Sequence, residues 1–437
     1  MMNTDNNNQL TTKPAADASL SQWLDYLLSI HPTEIEMGLT RVTEVAKRLN
    51  ALTLSESKVI IVAGTNGKGT TCAMLESVFL QAGFTVGVYS SPHLVNFNER
   101  VRLDHKDVED SLLIEAFSAI EIARAEISLS YFEFATLAGL YIFKLAAPDI
   151  VLLEVGLGGR LDATNIIDAD VSVITSIDID HQEYLGDTRE LVGREKAGVF
   201  RAKKLAVIGE PDTPQTITDY AKTINANEYR VNKDFSYSIN EESISTQTNT
   251  WQYQSRNRII EAIPLPQLPL ANAATAIAVI EQTWPQISDA DIKIGIAKAS
   301  LSGRFECVLN QPNQAKVWVD VAHNPHAAKY LATQLQRFKP ARIIALCGML
   351  KDKDAAAVLV ELEAVVDEWN FATLTVERGS NAADLVNKLD ASLSSSQFES
   401  MDHAWQSIKA NLNADDVVIV FGSFYTVAAF NELLERE

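Results

Sequence analysis

Residues 58–71, KVIIVAGTNGKGTT, constrain this chain more tightly than any other stretch. Val59, Ile60, Ile61 and Val62 form an apolar run rich in β-branched residues, which suits a strand covered on both faces. Gly64, Gly67 and Gly69 then bracket Lys68, and Met74, Leu75, Val78 and Phe79 recur at helical spacing. A strand, a glycine-rich turn with one lysine and a helix together aim backbone N–H groups and a helix N-terminus at phosphate. Glycine lets the backbone come close, Lys68 reaches the terminal phosphates and the Thr70 hydroxyl suits Mg²⁺. The spacing departs from the common pattern: Val62 stands five positions before Gly67 where glycine is usual, and Gly69 separates the lysine from its hydroxyl. The alternative, a glycine turn without a ligand, leaves the lysine unmotivated.

A chain of 437 residues exceeds one ordinary core and calls for two or three domains. Its net charge of −20 argues against a general nucleic-acid binder, which needs a basic face. Anionic substrates stay open, because local arginines and metal ions reverse a field. Cys72, Cys307 and Cys347 fit no metal or disulfide spacing and read as buried thiols of a reducing compartment. Residues 1–19 are polar with a run of asparagines, and a disordered tail is expected there rather than a signal peptide. Nothing approaches the roughly 18 apolar residues of a spanning helix. A cytoplasmic protein without a membrane partner is expected.

Helices are expected over 20–28 and 37–52. Beyond the glycine turn, strands are expected at 84–89, 149–155, 169–176 and 205–208. They alternate with helices at 112–127 and 132–145 and with one carrying Arg194, Glu195 and Lys196. This alternation predicts a parallel sheet covered on both sides. Near Tyr229 the period drops to two: Phe235, Tyr237 and Ile239, then Trp251 and Tyr253, predict antiparallel strands within 235–263. Pro264, Pro266 and Pro269 close that region, and a small-residue helix starts at Leu270. Past a boundary near Ser302 and Gly303 the alternation restarts, with strands at 317–321, 342–347, 371–376 and 417–421 and helices from His326, Asp354, Ala382 and Ala404. The fold class expected is therefore α/β. A P-loop domain over 20–302 joins a parallel sheet to a small antiparallel subregion, and a smaller Rossmann-like domain follows over 303–437. Neither VAHNP nor GLGGRL at Gly156 has the glycine spacing of a dinucleotide fingerprint.

In an open parallel sheet, ligands gather outside the carboxyl ends of the strands. Lys68, Thr70, Ser91, Glu154 and His181 each stand in a turn after a strand. Hydroxyl and carboxylate suit Mg²⁺ beside a nucleotide, while imidazole is an unusual ligand for so hard an ion. Ser91 before Pro92 equally fits a plain turn, and His181 an exposed loop. Glu154 resists a bland reading, because a carboxylate closing DIVLLEV is costly to bury without a cation. For Lys196 a solvated charge on a helix surface is the simpler expectation. Arg304 and Asp320 also read as a structural ion pair, and His323 and Asn324 as turn formers before Pro325. The residues by themselves reach as far as a Mg·ATP-using enzyme with two α/β domains and a cleft between them.

Together the segments resemble the folylpolyglutamate synthase/dihydrofolate synthase family, a branch of the Mur-type amide ligases, from about Leu20 to the C-terminus. The resemblance rests on GTNGKGT, SSPHL with FNERVR, SYFEF, LEVGLGGRLDATN, SIDIDHQEYLG, GREKAGVF, the asparagine of LANAATA, SGRFE and DVAHNP, in that order. It accounts for the shortened glycine spacing. It implies that Thr65, Asn66, Gly67, Lys68, Gly69 and Thr70 cradle the triphosphate of ATP. Asn272, Arg304 and Asp320 would grip the nucleotide, and His323 would lie close to the phosphates. Two Mg²⁺ ions are implied: Ser91 and Glu154 hold one, while Glu154, His181 and Lys196 serve the other. Lys196 would act as an N-carboxylated lysine, its carboxylate derived from CO₂. Catalytic roles fall to Lys68, Lys196 and His323. Ser130, Tyr131, Phe132 and Glu133, with Leu161, Asp162 and Ala163, match the dihydropteroate-binding segments of bifunctional members.

In the implied reaction, a carboxylate of dihydropteroate or a reduced folate takes the γ-phosphate, and the acyl phosphate is captured by the amine of L-glutamate. A hinge near Ser302 would close the cleft over that intermediate. A monomer is expected. A peptidoglycan Mur ligase is one rival, although only 63 residues precede Gly64, too few for the UDP-binding domain usual there. A nucleotide-driven switch protein and a monofunctional folylpolyglutamate synthase are the others; SYFEF and LDA lean toward the dual enzyme.

Overall fold

The computed structural model describes residues 13–15, 17–31, 36–240, 250–338 and 342–436. The chain divides into two compact units, one of Met1–His93, Phe97–Pro266 and Leu270–Lys298, the other of Leu94–Asn96, Gln267–Pro269 and Ala299–Glu437. Of the expected disordered tail, residues 1–12 and 16 lie outside the described residues. Ser19 is described, and it caps the helix Leu20–Ser29 in a reciprocal pair with Gln22.

The first unit is built on an eight-stranded sheet. Its strands are β1 (Lys58–Ala63), β2 (Val86–Tyr89), β3 (Val101–Leu103), β4 (Lys106–Asp107), β5 (Ile150–Glu154), β6 (Val171–Ile174), β7 (Leu205–Ile208) and β8 (Asn227–Arg230), in the order β4-β3-β2-β5-β1-β6-β7-β8. From β2 to β8 all neighbours are parallel, and β3–β4 is an antiparallel hairpin on one edge. β1 and β5 are buried throughout apart from Lys58, hence their near-continuous apolar sequence. Val62 stands opposite Glu154 and Ala63 opposite Ile174, so the carboxyl ends of β5, β1 and β6 finish level. The glycine turn, the loop after Glu154 and the segment from Thr175 all leave from that edge.

Two expectations shift here. The helix expected over 37–52 is confined to Thr40–Arg48, and Asn50 behind it turns through φ +53°. The parallel sheet does not stop at residue 229 but takes in β8, whose sequence NEYR carries little apolar signal. An edge strand has one neighbour and needs no apolar run. The small antiparallel sheet is present, formed by β9 (Phe235–Ile239), β10 (Thr250–Ser255) and β11 (Ile259–Pro264) in the order β11-β10-β9. Trp251 and Tyr253 are buried while Gln252 between them is half-buried, the two-residue period expected. Residues 241–249, inside the expected antiparallel stretch, lie outside the described residues.

The second unit carries a six-stranded sheet of β12 (Glu306–Leu309), β13 (Lys316–Asp320), β14 (Ile343–Cys347), β15 (Glu368–Ala372), β16 (Ser395–Phe398) and β17 (Val417–Phe421), ordered β12-β13-β17-β14-β15-β16. All pairs are parallel except β12–β13. Successive residues of the central strands feed opposite faces. Ala345, Cys347, Ile419 and Phe421 enter one apolar cluster, and Ile344, Leu346, Val418 and Val420 the other. This is the doubly covered α/β sheet expected; β12, β16 and the last helix, Phe424–Glu435, were not anticipated.

One buried ion pair ties the hairpin edge to the helix Lys68–Gln81 behind the glycine turn. Glu76, 1% exposed at its side chain, receives Arg102 Nη2 at 2.9 Å, with His105 at 3.6 Å. Burial pushes the Glu76 carboxyl up, but His105 and Arg102 outweigh it and hold its pKa below 4.5. Removing one partner strands the other, so Arg102→Leu should cost about 3–5 kcal/mol in chemical denaturation. Because the native pKa is depressed, the pair's contribution is complete above 4.5 and is lost as pH falls through the lower native value. The wild type should therefore lose more stability on acidification below 4.5 than Glu76→Gln does.

Candidate active site

The glycine turn is held open by its neighbours. Thr65 N donates to Ser176 O at 2.8 Å and Asn66 N to Ser176 Oγ at 3.0 Å. Thr65 Oγ1 donates to Asp178 O at 2.9 Å, and Thr175 Oγ1 donates to Asn66 O at 2.6 Å. Gly67 has φ +87°, and a Cβ there would lie 2.7 Å from the amide of Asn272. That amide donates to Thr70 Oγ1 at 2.6 Å, and Thr70 Oγ1 donates to Gly67 O at 3.0 Å. Lys68 folds back over the turn, its Nζ 2.9 Å from Gly64 O and 3.3 Å from Thr65 O. Residues 65–70 and Asn272 are thus brought together in one turn at the helix N-terminus, a geometry suited to a phosphate.

The candidate metal residues meet along the same edge to differing degrees. Glu154 ends β5 at 7% exposure, and its charge raises the pKa of the buried Cys72 thiol, second only to desolvation. Ser91 is half-buried in the turn after β2. Lys196 corrects a sequence expectation: it is no solvated surface charge but is 3% exposed near the end of the helix Arg189–Ala197. Burial pushes its amine well below the ordinary lysine range, and the Lys68 charge adds to the fall, while Asp180 and Asp162 oppose it. Lys196 therefore stands close enough to the phosphate lysine and to both carboxylates to feel their charge. His181 is exposed, as one of its two readings had it, with φ +50° and its ring 3.9 Å from Asp180. Among the described residues, no three His, Cys, Asp or Glu side chains form a ready metal cage.

The two segments expected to hold a pterin are built largely from backbone-directed polar groups. Ser130 and Glu133 form a reciprocal cap on the helix Tyr131–Ala146, and Glu133 also receives Arg41 at 3.1 Å. Asp162 accepts from Gly156 N, Leu157 N, Thr164 N and Thr164 Oγ1 at 2.6–3.0 Å, shaping the loop after β5. Burial raises its pKa despite these donors. Leu161 is half-buried beside it, and Ala163 is buried at the start of a short turn of helix. Tyr131 and Phe132 are half-buried and lie edge-on to Phe97 and Tyr89 respectively.

In the second unit, Asp320 accepts Phe305 N and Ala322 N, both at 2.8 Å. Burial raises its carboxyl pKa, and the nearby Arg304 draws it back. The Arg304 guanidinium lies 4.9 Å over the Phe424 ring. His323 Nδ1 is 2.8 Å from Val321 O, and since a carbonyl only accepts, Nδ1 carries the proton. Asn324 is more than a turn former: it caps the helix Pro325–Leu335 through Ala327 N.

Sequence reasoning passed over Thr175 and Ser176, which buttress the phosphate turn. Two hydroxyl residues directly after a buried strand at the carboxyl edge were the available signal. It also passed over Arg100, whose Nε donates to His93 Nδ1 at 2.8 Å and whose guanidinium lies 5.5 Å from the Phe97 and Tyr131 rings. Burial, with that guanidinium beside it, pushes the His93 pKa down to about 4.

Residues 62–280 match the Mur ligase middle domain, and residues 303–424 match the Mur ligase glutamate ligase domain. The chain is 46% identical over 423 residues to the dihydrofolate synthase/folylpolyglutamate synthase of Escherichia coli (strain K12), covering 97% of each. The chain belongs to the dihydrofolate synthase/folylpolyglutamate synthase family of Mur ligases. The solved structure of E. coli FolC in complex with DHPP and ADP superposes on this family member with a TM-score of 0.91 at 46% identity, over 97% of this chain and 99% of that one. A bifunctional folylpolyglutamate synthase/dihydrofolate synthase with Mn, AMPPNP and L-glutamate bound matches with a TM-score of 0.88 at 46% identity, over 97% and 100%. As in any phosphate cradle, the turn tolerates no side chain at its left-handed glycine. Gly67→Ala meets both the positive φ and the Asn272 amide, a strain of at least about 1–2 kcal/mol. A fluorescent ADP analogue should bind about tenfold more weakly, and the melting temperature should fall by roughly 2–4 °C.

Proposed function

We infer that this chain is an ATP-dependent ligase that joins L-glutamate to dihydropteroate, giving dihydrofolate, and adds further glutamates to folates. The observation that carries the reading is the buried Lys196, its amine pKa lowered by burial, within charge range of Lys68, Asp180 and Asp162. Relatives that share 46% of its residues along nearly the whole chain bear that dual name.

The phosphate turn and helix N-terminus hold the triphosphate, and Lys68 exchanges its own loop carbonyls for the γ-phosphate. The substrate carboxylate attacks the γ-phosphorus in line, the bridging bond to ADP breaks, and an acyl phosphate forms. The amine of glutamate then attacks the acyl carbon, and amide, inorganic phosphate and a proton leave. The donors at the strand edge fit a divalent cation: Ser91 and Glu154 for one ion, and Glu154, His181 and Lys196 for a second. The Lys196 amine, its pKa pushed down by burial, would in its unprotonated form make an N–C bond with CO₂ and give up a proton, offering hard oxygen donors. Mg²⁺ bound there supplies positive charge against the phosphate oxygens. The enzyme works as a cytoplasmic monomer on small molecules. Its net charge of −20 disfavours nucleic acid as a partner.

The purified protein with Mg·ATP and glutamate, given dihydropteroate in one reaction and a reduced folate in another, should yield both products one glutamate heavier by mass. Growth of the folate product alone makes the enzyme monofunctional. ADP release that needs neither acceptor makes it a switch rather than a ligase. Lys196→Ala and Glu154→Gln should each lower ligation by about 10²–10³-fold. Equilibration with ¹³C-bicarbonate should give a carbamate carbon signal in the wild type that Lys196→Ala lacks. That signal and the rate should fall together on acidification, because a protonated amine cannot add CO₂.

A further inference from the structure

Ile177 is held by its backbone from two directions. Glu210, two residues beyond β7 and 7% exposed, accepts Ile177 N at 2.7 Å and Asp212 N at 3.0 Å. Arg189 opens the helix Arg189–Ala197, which carries Lys196 near its end, and its Nε donates to Ile177 O at 3.2 Å. The same guanidinium donates through Nη2 to Glu210 Oε1 at 3.1 Å and to Asp212 O at 2.8 Å. The residues either side of Ile177 are bound to the phosphate turn instead: Ser176 takes Thr65 N and Asn66 N, and Asp178 N donates to Thr65 Oγ1 at 3.0 Å. Residues 176–178 are therefore fastened to the phosphate turn on one side and to Glu210 and Arg189 on the other. The chain runs on directly into Asp180 and His181.

A partly buried ion pair is weak evidence for stability, since the cost of desolvation offsets much of its attraction. This one instead grips the N–H and the C=O of a single residue. Arg189 and Lys196 also share one short helix, so the clamp fixes two of the candidate metal residues at once. We propose that Glu210 and Arg189 are positioning residues that set the His181 loop and the Lys196 helix against the phosphate turn, and thereby set the affinity of the site for its divalent cation. The proposal rests on reading His181 and Lys196 as metal-holding residues.

The test uses the full chain with AMPPNP, titrated with Mn²⁺ and followed by the electron paramagnetic resonance of free Mn²⁺. ADP binding without metal and thermal unfolding are measured alongside. Glu210→Gln keeps the volume and loses the charge; Arg189→Lys keeps the charge and loses the fork. Both should weaken Mn²⁺ by about tenfold or more, with metal-free ADP affinity and unfolding temperature close to wild type. Wild-type Mn²⁺ affinity in both variants overturns the proposal. So does a parallel fall of Mn²⁺ affinity, ADP affinity and unfolding temperature, which marks a structural role alone. His181→Ala separates the two layers. If it binds Mn²⁺ as the wild type does, the metal reading itself fails; if it weakens Mn²⁺ while the clamp variants do not, only the clamp fails.

Discussion

Thr175, Ser176 and Asp178, just after β6, hold the glycine turn in place, and the geometry of that turn depends on their contacts. β6 is the parallel neighbour of β1, so residues leaving both strands emerge side by side. Thr65 and Asn66 can then satisfy their N–H groups on Ser176, and Thr175 returns a hydroxyl to Asn66 O. A turn whose backbone is already tied down does not have to be ordered by its ligand, so less binding free energy is lost to entropy. The glycines follow from this closeness. A Cβ on Gly64 would sit 1.9 Å from Thr175 Oγ1, and one on Gly67 would meet Asn272. The shortened glycine spacing of residues 64–69 thus reflects what surrounds the turn as much as what the turn binds.

The parts of this arrangement open to sequence reading were those encoded locally. β1, β7 and β17 are apolar runs bounded by turn residues, and β7 and β17 appear at the expected bounds. The phosphate expectation for residues 65–70 rested on glycine and lysine being scarce in strand-to-helix turns without a reason. The edges were not readable: β4, β8, β12 and β16 each have a single neighbour and carry mixed sequences. Lys196 was hidden for another reason. Its neighbours Arg194 and Glu195 look like any solvated helix, and Glu195 does pair outward with Arg160 at 3.0 Å. The loop after β5, far away in sequence, packs Gly159 against the Lys196 backbone. No local pattern contains that contact.

Several acidic residues that the family resemblance assigns to ligands prove to have a structural task as well. Glu133 closes a helix cap, Asp162 gathers three backbone N–H groups and a hydroxyl, and Asp320 gathers two N–H groups. A carboxylate used in this way fixes the path of the main chain to a few tenths of an ångström, because its donors are rigid. Tyr131 and Phe132 follow the Glu133 cap, and the turn Ala163–Ile166 follows Asp162. The carboxylates thereby set where neighbouring apolar and aromatic faces are presented. SYFE is a capping box by its own spacing, so this role was written in the sequence in plain terms.

Charge balance then links the lysine to the metal. Burial lowers the Lys196 pKa, and on the proposed reading Asp180, Asp162 and a bound triphosphate would all bring negative charge near it. A carbamate on Lys196 would add yet another, which a site of this polarity could not hold in a buried position without cations. Divalent ions would reverse that balance, since each brings two positive charges to the oxygen donors that hold it. On the proposed reading, carboxylation of Lys196 and metal binding would support each other, since each would make the other less costly beside those acidic groups. The same reasoning explains a strongly acidic chain that handles anionic substrates, because the positive field it needs arrives with the ions rather than from its own side chains.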